Sequence, residues 1–308
     1  MANDPPTGDE EVESPAIIEE HWNLPLDFHL FASHQTHRIR LTAQQFFELE
    51  CVESLTPLDM MHLSNGIHDA TGHCVWMGAF LLIASIAADH LQEHFQGKRV
   101  VELGAGTGIA GLCLLLSDDS VAPLCVTFTD ADLDALALCQ RNCSSNLGKK
   151  KKGNDNREPT SAAAERLLYQ VQELTWGKPL PLSVSENCYD TVLATDVLYD
   201  IGLLSPLLTT ASECLRASPG GSFVLSHVPR ACFDTEHPPV ASLEEYIVQQ
   251  ATGFGFQLES ILRPNDLLSP ESATAVKMKD ALNDDVSVQD LHEAGAAILI
   301  FRKKPFSV

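Results

Sequence analysis

"VVELGAGTGIAGL", residues 100–112, governs the reading of the whole chain. A β-branched run, "RVVEL", ends at an acid and a cluster of glycines, and "GIAGLCLLL" follows with the apolar density of a covered helix. Strand, glycine turn and helix together open a parallel α/β unit. The glycines can be counted in two registers. From Glu102 the pattern is acid-x-Gly-x-Gly-x-Gly, with Gly104, Gly106 and Gly108. From Gly106 it is Gly-x-Gly-x-x-Gly, with Gly108 and Gly111.

Similar units flank this stretch. Upstream, "VWMGAFLLIASIAADHL" predicts a helix beginning near Trp76, apolar almost all round and so well covered. Downstream, "LCVTFTD" predicts a strand ending at Asp130, and "ADLDALALCQRNCSSNL" has helical spacing. "LYQVQELTW", "YDTVLATD" and "GSFVLSHV" read as further strands, with a helix near 203–217 between the last two. "FQLESILR" and "AAILIFRKK" close the chain as two strands with no clear helix between them. The expected fold is α/β: a Rossmann-like, doubly wound seven-stranded sheet with an antiparallel hairpin at one edge. Residues 27–53 contain extended pieces such as "HRIRL" and suggest a small hairpin.

Domain organisation follows from composition. Residues 1–20 carry seven acids and no Lys or Arg, the composition of a disordered acidic tail. Residues 21–70 form an N-terminal extension, and residues 71–308 the main domain. Segments 148–165 and 265–294 exceed ordinary connections and read as inserted surface loops.

The formal net charge is −22, which repels phosphate backbones and attracts basic partners. The longest apolar run, Ala79 to Ala88, falls short of the ~20 residues that cross a bilayer. Nine cysteines are scattered without a C-x-x-C pair, so reduced thiols are expected and no disulfide framework. These features place the chain inside the cell, in the cytoplasm, the nucleus or both.

The glycine register separates two cofactor chemistries. In a dinucleotide fingerprint the first glycine follows the strand directly and the third lets helix and strand pack closely. Gly106 comes too late for the first role. Counting from Gly104 instead leaves Ile109 where the third glycine belongs. The register from Glu102 fits without adjustment. An acid there suits the cationic amino end of S-adenosylmethionine and opposes a pyrophosphate. Asp130 fits either cofactor, because an acid ending the second strand binds ribose hydroxyls; it is also a good helix N-cap.

"VVELGAGTGIAGL", "FTDADLDALALCQRN", "ELTWG" and "YDTVLATDVLYD" come in the order and spacing of the family 16 methyltransferases, which the chain resembles over roughly residues 70–230. "VWMGAFLL" with "LCQRN" is most similar to the branch called methyltransferase-like protein 22. The resemblance implies an S-adenosyl-L-methionine-dependent enzyme that methylates a lysine of a protein. It implies that Trp76 lines the methionine side and that Gly104, Ala105 and Gly106 turn beneath the cofactor, with Glu102 and Gly108 in the same loop. It further implies that Asp130 takes the ribose hydroxyls, that Trp176 lies near the adenine and that Thr195 touches the cofactor through its backbone. Asp196 and Tyr199 are then the catalytic ends of an acid-x-x-aromatic motif. The expected partner is a basic protein presenting a lysine, with chaperones and nucleic-acid-binding proteins among the candidates; neither a membrane nor nucleic acid is expected.

Methyl transfer from a sulfonium is a displacement at carbon that requires a deprotonated nucleophile in line, ~3–3.5 Å away. A free lysine, pKa ~10.4, is mostly protonated at neutral pH. The chemistry assigned to Asp196 is to attract and orient the amine, and that assigned to Tyr199 is to wall its channel. The competing structural roles are a helix cap for Asp196 and core packing for Tyr199, Trp76 and Trp176. Two activity classes compete with this one: methylation of a small molecule or nucleic acid, and a non-catalytic cofactor-binding interaction module.

"HLQEH", His90 to His94, spells a zinc-peptidase pattern, but no further ligands accompany it, and no metal site is expected. "KKKK", 149–152, reads as a solvated charge run. His227 reads as a satisfied structural histidine.

Overall fold

Among the described residues, β-branched and aromatic runs build nine strands in two sheets. They are β1 (Gln35–Arg40), β2 (Phe46–Cys51), β3 (Arg99–Leu103), β4 (Cys125–Asp130), β5 (Tyr169–Glu173), β6 (Thr191–Thr195), β7 (Ser222–His227), β8 (Phe256–Leu262) and β9 (Ala297–Lys303). The structure, a computed structural model, describes residues 34–41, 45–52, 71–88, 90–147, 169–186, 189–215, 220–231, 240, 242–267 and 286–305. The expected acidic tail, the 148–165 insertion and "KKKK" lie outside them.

The main sheet has the order β5-β4-β3-β6-β7-β9-β8. Strands β3 to β7 pair in parallel, whereas β9 is antiparallel to both β7 and β8. The antiparallel edge is as expected, but the chain's last strand lies inside and β8 takes the rim. Winding starts at β3, runs out through β4 to β5, then crosses to β6 on the other side. The crevice between the carboxyl ends of β3 and β6 is therefore the topological switch point, where open α/β sheets bind ligands.

Period-two alternation feeds two cores. Val100, Phe128, Leu193, Val224, Ile298 and Ile300 face one layer. Val101, Leu103, Val192, Ala194, Phe223, Leu225, Leu299 and Phe301 face the other. The first layer is covered by α1 (Met77–Ala87), α2 (Ile109–Leu116) and α3 (Leu133–Leu147); the second by α4 (Leu204–Cys214) and α5 (Leu243–Gly253). The α5 helix is an element that the sequence reading passed over. Its signals are present: Ser242 Oγ accepts from the Glu245 N–H at 3.1 Å, and Leu243, Ile247 and Ala251 are buried at a spacing of four.

The 265–294 stretch is also not all excursion. Ser287 and Asp290 form a capping box that starts α6 (Val288–Glu293), whose Leu291 is fully buried in the first core. The N-terminal hairpin β1–β2 is antiparallel and contributes Ile39, Leu41, Phe47 and Leu49 to that same core. Side chains of α3 hold its free edge. Asn142 accepts from the Glu50 N–H at 2.8 Å and donates to the Glu50 carbonyl at 3.0 Å; Asn146 does the same with Glu48 at 3.1 and 2.6 Å. Arg141 forks onto the Glu50 carboxylate at 2.9 and 3.0 Å. The "LCQRN" stretch thus stands in for a neighbouring strand and covers an edge that would otherwise expose its backbone. Among the described residues no helix is long and apolar enough to cross a membrane.

Candidate active site

A cleft of about 640 Å³ opens at the switch point. Its wall includes Trp76, Glu102, Gly104, Ala105, Gly106, Asp130, Trp176, Thr195, Asp196 and Tyr199. Of the residues expected from sequence, only Gly108 is missing from the lining. Gly108 adopts φ 78° just before α2, and a Cβ there would come within 2.5 Å of Cys139 Sγ. Its glycine is explained by packing against α3, behind the cleft wall.

The β3–β4 end of the cleft is built from one short stretch of chain. The N–H groups of Gly104 and Ala105 both donate to the Thr129 carbonyl at 2.9 Å. Gly106 has φ 52°, and its N–H donates to Asp130 Oδ2 at 2.9 Å. A Cβ on Gly106 would lie 2.7 Å from the Gly72 carbonyl oxygen, so backbone rather than ligand space forbids a side chain there. Asp130 also accepts from the Asp132 N–H at 3.1 Å. Burial is the leading cause that raises the Asp130 carboxyl above its ordinary value. Its remaining lone pairs can accept from hydroxyl groups in the cleft.

Glu102 is 1% exposed and turns its Oε2 to the Gly111 N–H at 3.0 Å, in the first turn of α2. Burial pushes its carboxyl up to about 8, against the lowering effect of that N–H, and Asp130 nearby adds to the rise. A cation placed beside it would drive it back to the ionised form.

At the β6–β7 end, contacts come from remote parts of the chain. Asp196 holds φ 57°, the one non-glycine residue at positive φ among those described. Its side chain is 1% exposed. Oδ2 accepts from the Gly78 N–H at 2.8 Å, and Oδ1 from the Val228 N–H at 3.2 Å and from Arg230 Nη2 at 2.7 Å. Arg230 Nη2 also donates to the Asp196 carbonyl at 3.0 Å, and its guanidinium lies 4.5 Å from the centre of the Trp76 ring. The carboxylate caps a helix, though not its own: it satisfies an N-terminal N–H of α1, whose N-cap residue Trp76 supplies no side-chain bond. Ser226 Oγ donates to the Gly78 carbonyl at 2.7 Å and pins the same turn to β7. Thr195 Oγ1, beside it in the wall, is buried with no hydrogen-bond partner among the described residues. Tyr199 is 47% exposed at the cleft.

Sequence reasoning missed Gly78, Val228 and Arg230. A Cβ on Gly78 would sit 3.0 Å from the Asp196 carboxyl group, so the glycine of "VWMGAFLL" was a readable sign that something packs on that turn. Arg230 lies in a stretch, "SHVPRACF", with no pattern to mark it.

The remaining candidates separate. His90 precedes the single helical turn Gln92–Phe95, so His90 and His94 share no helix face. The His94 ring, 3% exposed, contacts Ser222 Oγ at 2.9 Å. Glu93, His94 and Glu259 come together, with Arg302 paired to Glu93 at 3.4 Å and to Glu259 at 2.6 Å. His227 is fully buried in β7, and neither ring nitrogen has a hydrogen-bond partner among the described residues, unlike the satisfied histidine expected. Burial is the leading cause holding it below its ordinary pKa.

Sheet order, antiparallel end and switch-point cleft define a class: the Rossmann-like fold of the seven-stranded methyltransferases. Residues 57–237 match the lysine methyltransferase family, and the chain belongs to it. It is similar to methyltransferase-like protein 22 of Mus musculus, 33% identical over 47% of this chain and 36% of that protein. It is similar to protein N-lysine methyltransferase METTL21A of Danio rerio, 32% identical over 41% of this chain and 47% of that protein. It is also similar to EEF1A lysine methyltransferase 3 of Xenopus tropicalis, 33% identical over 53% of this chain and 60% of that protein. The chain thus spans less than two thirds of each relative's length.

Proposed function

We propose that this chain binds S-adenosyl-L-methionine in the switch-point cleft and transfers its methyl group to a lysine side chain of a protein. One observation carries the reading: a single cleft joins a glycine-turn cradle ending at Asp130 to the Asp196–Tyr199 turn. Family membership supports it, as do the lysine methyltransferases among the relatives.

The residues fit the cofactor. Asp130 would accept from ribose hydroxyls, and Trp176, packed over Gly104, would flank the adenine. Glu102 would be held ionised by the cationic amino group. When bound, the cofactor supplies an electrophilic methyl on a sulfonium. Asp196 fixes the start of α1 and thereby the position of Trp76. Tyr199 gives the cleft an exposed aromatic wall along which an aliphatic lysine stem can lie. The cationic sulfonium favours loss of the amine's proton, because a like charge nearby lowers a lysine pKa. The acidic chain favours a basic protein partner. The seven described cysteines form no disulfide with one another, which supports a reducing compartment, the cytoplasm or nucleus.

The engagement of Asp196 by three donors favours one rival, a cofactor-binding module without transfer. Incubation of cell extract with the protein and methyl-labelled S-adenosylmethionine separates the two. Transfer predicts label that protease renders small and that hydrolysis returns as methyl-lysine. Label confined to nucleic acid or small molecules, or none from a protein that binds the cofactor in calorimetry, contradicts it.

A further inference from the structure

The described residues lining the cleft include four carboxylates, Glu102, Asp130, Asp132 and Asp196, and one cationic side chain, Arg230. This balance suits an ammonium or a sulfonium. It does not suit a carboxylate, which would enter a negative field with poor solvation unless it met a positive group. An amino-acid tail carries both charges. The strand order β4-β3-β6-β7 places the end of β7 three strand spacings, about 14 Å, from the Asp130 end of β4. A ligand held at Asp130 by hydroxyl groups and extended across the strand ends therefore brings its far terminus to the β6–β7 side, where Arg230 stands.

Arg230 is already fixed there. Nη2 is bonded to the Asp196 carboxylate and carbonyl, and the guanidinium face lies over Trp76. Asp196 is itself locked by the N–H groups of Gly78 and Val228. A planar fork held at one edge and one face has little entropy left to lose and matches a carboxylate in shape. Resting on the reading of the cleft as an S-adenosylmethionine site, we propose that Arg230 binds the carboxylate of the cofactor's amino-acid tail. Asp196 is then a positioning residue that aims Arg230.

The test is calorimetric and needs no turnover. S-adenosylmethionine and its decarboxylated form differ by that carboxylate alone. The wild-type chain should bind the complete cofactor about tenfold to a hundredfold more tightly, the range expected for one charge-assisted hydrogen-bonded pair. Arg230→Gln should erase the preference, weakening S-adenosylmethionine and leaving the decarboxylated form nearly unchanged; that unchanged binding shows the variant is folded. Arg230→Lys, which keeps the charge and loses the fork, should retain part of it. A wild-type chain without the preference overturns the proposal, as does an Arg230→Gln variant that retains it. Equal weakening of both ligands would make Arg230 a structural support only. Unchanged affinity for both, with tighter use of a protein acceptor, would place Arg230 in the acceptor's path instead. A wild-type chain that binds neither ligand contradicts the cofactor reading itself, a result distinct from all of these.

Discussion

The two ends of the cleft are built in opposite ways. At the β3–β4 end the key bonds are local: Glu102 to Gly111 spans nine positions and Gly106 to Asp130 spans 24. At the β6–β7 end the Asp196 carboxylate gathers partners 118, 32 and 34 positions away. The first end is a motif, because one stretch of chain makes both the turn and its contacts. The second is an assembly that exists only once α1 and β7 have packed. A defect at the first end should therefore cost ligand binding, and a defect at the second should cost stability as well.

The largest effect is expected at Gly106. With its Cβ position 2.7 Å from the Gly72 carbonyl, Gly106→Val must move backbone in the cradle and should abolish detectable cofactor binding in calorimetry. Retained binding would mean the cradle is not where the cofactor sits.

Asp196→Ala comes next and should lower stability by about 2–4 kcal/mol in denaturant titration. Two buried N–H groups lose their acceptor, while Arg230, partly exposed, can be rehydrated. Asp196→Asn should cost less than Ala but still about 1–3 kcal/mol, since its single amide oxygen replaces only one of the two accepting carboxylate oxygens and its NH2 then faces a donor that the other oxygen served. Equal and negligible costs for the two variants would dissolve the contrast between the ends.

A pH-dependent effect tests the first end alone. Because burial raises the folded-state pKa of Glu102 from 4.5 to about 8, its favourable contribution is full below 4.5 and is lost as pH rises toward 8. Stability measured across pH should shift in favour of Glu102→Gln through that window and run parallel to wild type above it. A constant difference would show that the carboxyl is not buried as described.

The same contrast explains what was legible. Alternation, glycine turns and helix spacing located the parallel strands, because each depends on neighbours in sequence. The cradle was readable for that reason, down to Asp130. The role of Gly108 was not, since its neighbour Cys139 comes from α3. Arg230 carries no local signature; its partners Asp196 and Trp76 become neighbours through the sheet crossing and the docking of α1. Helix α5 was missed although its stripe and cap were present, and the inward placement of β9 follows from sheet pairing that no strand pattern records.

The central claim is that this cleft delivers a methyl group to a protein lysine. Its most direct test is peptide mass spectrometry of cell extract supplied with deuteromethyl S-adenosylmethionine and either the wild-type chain or Gly106→Val. The account predicts a deuteromethyl-lysine peptide with wild type and its absence with the variant. No such peptide with a wild-type chain that binds the cofactor, or the same peptide with both proteins, would contradict it.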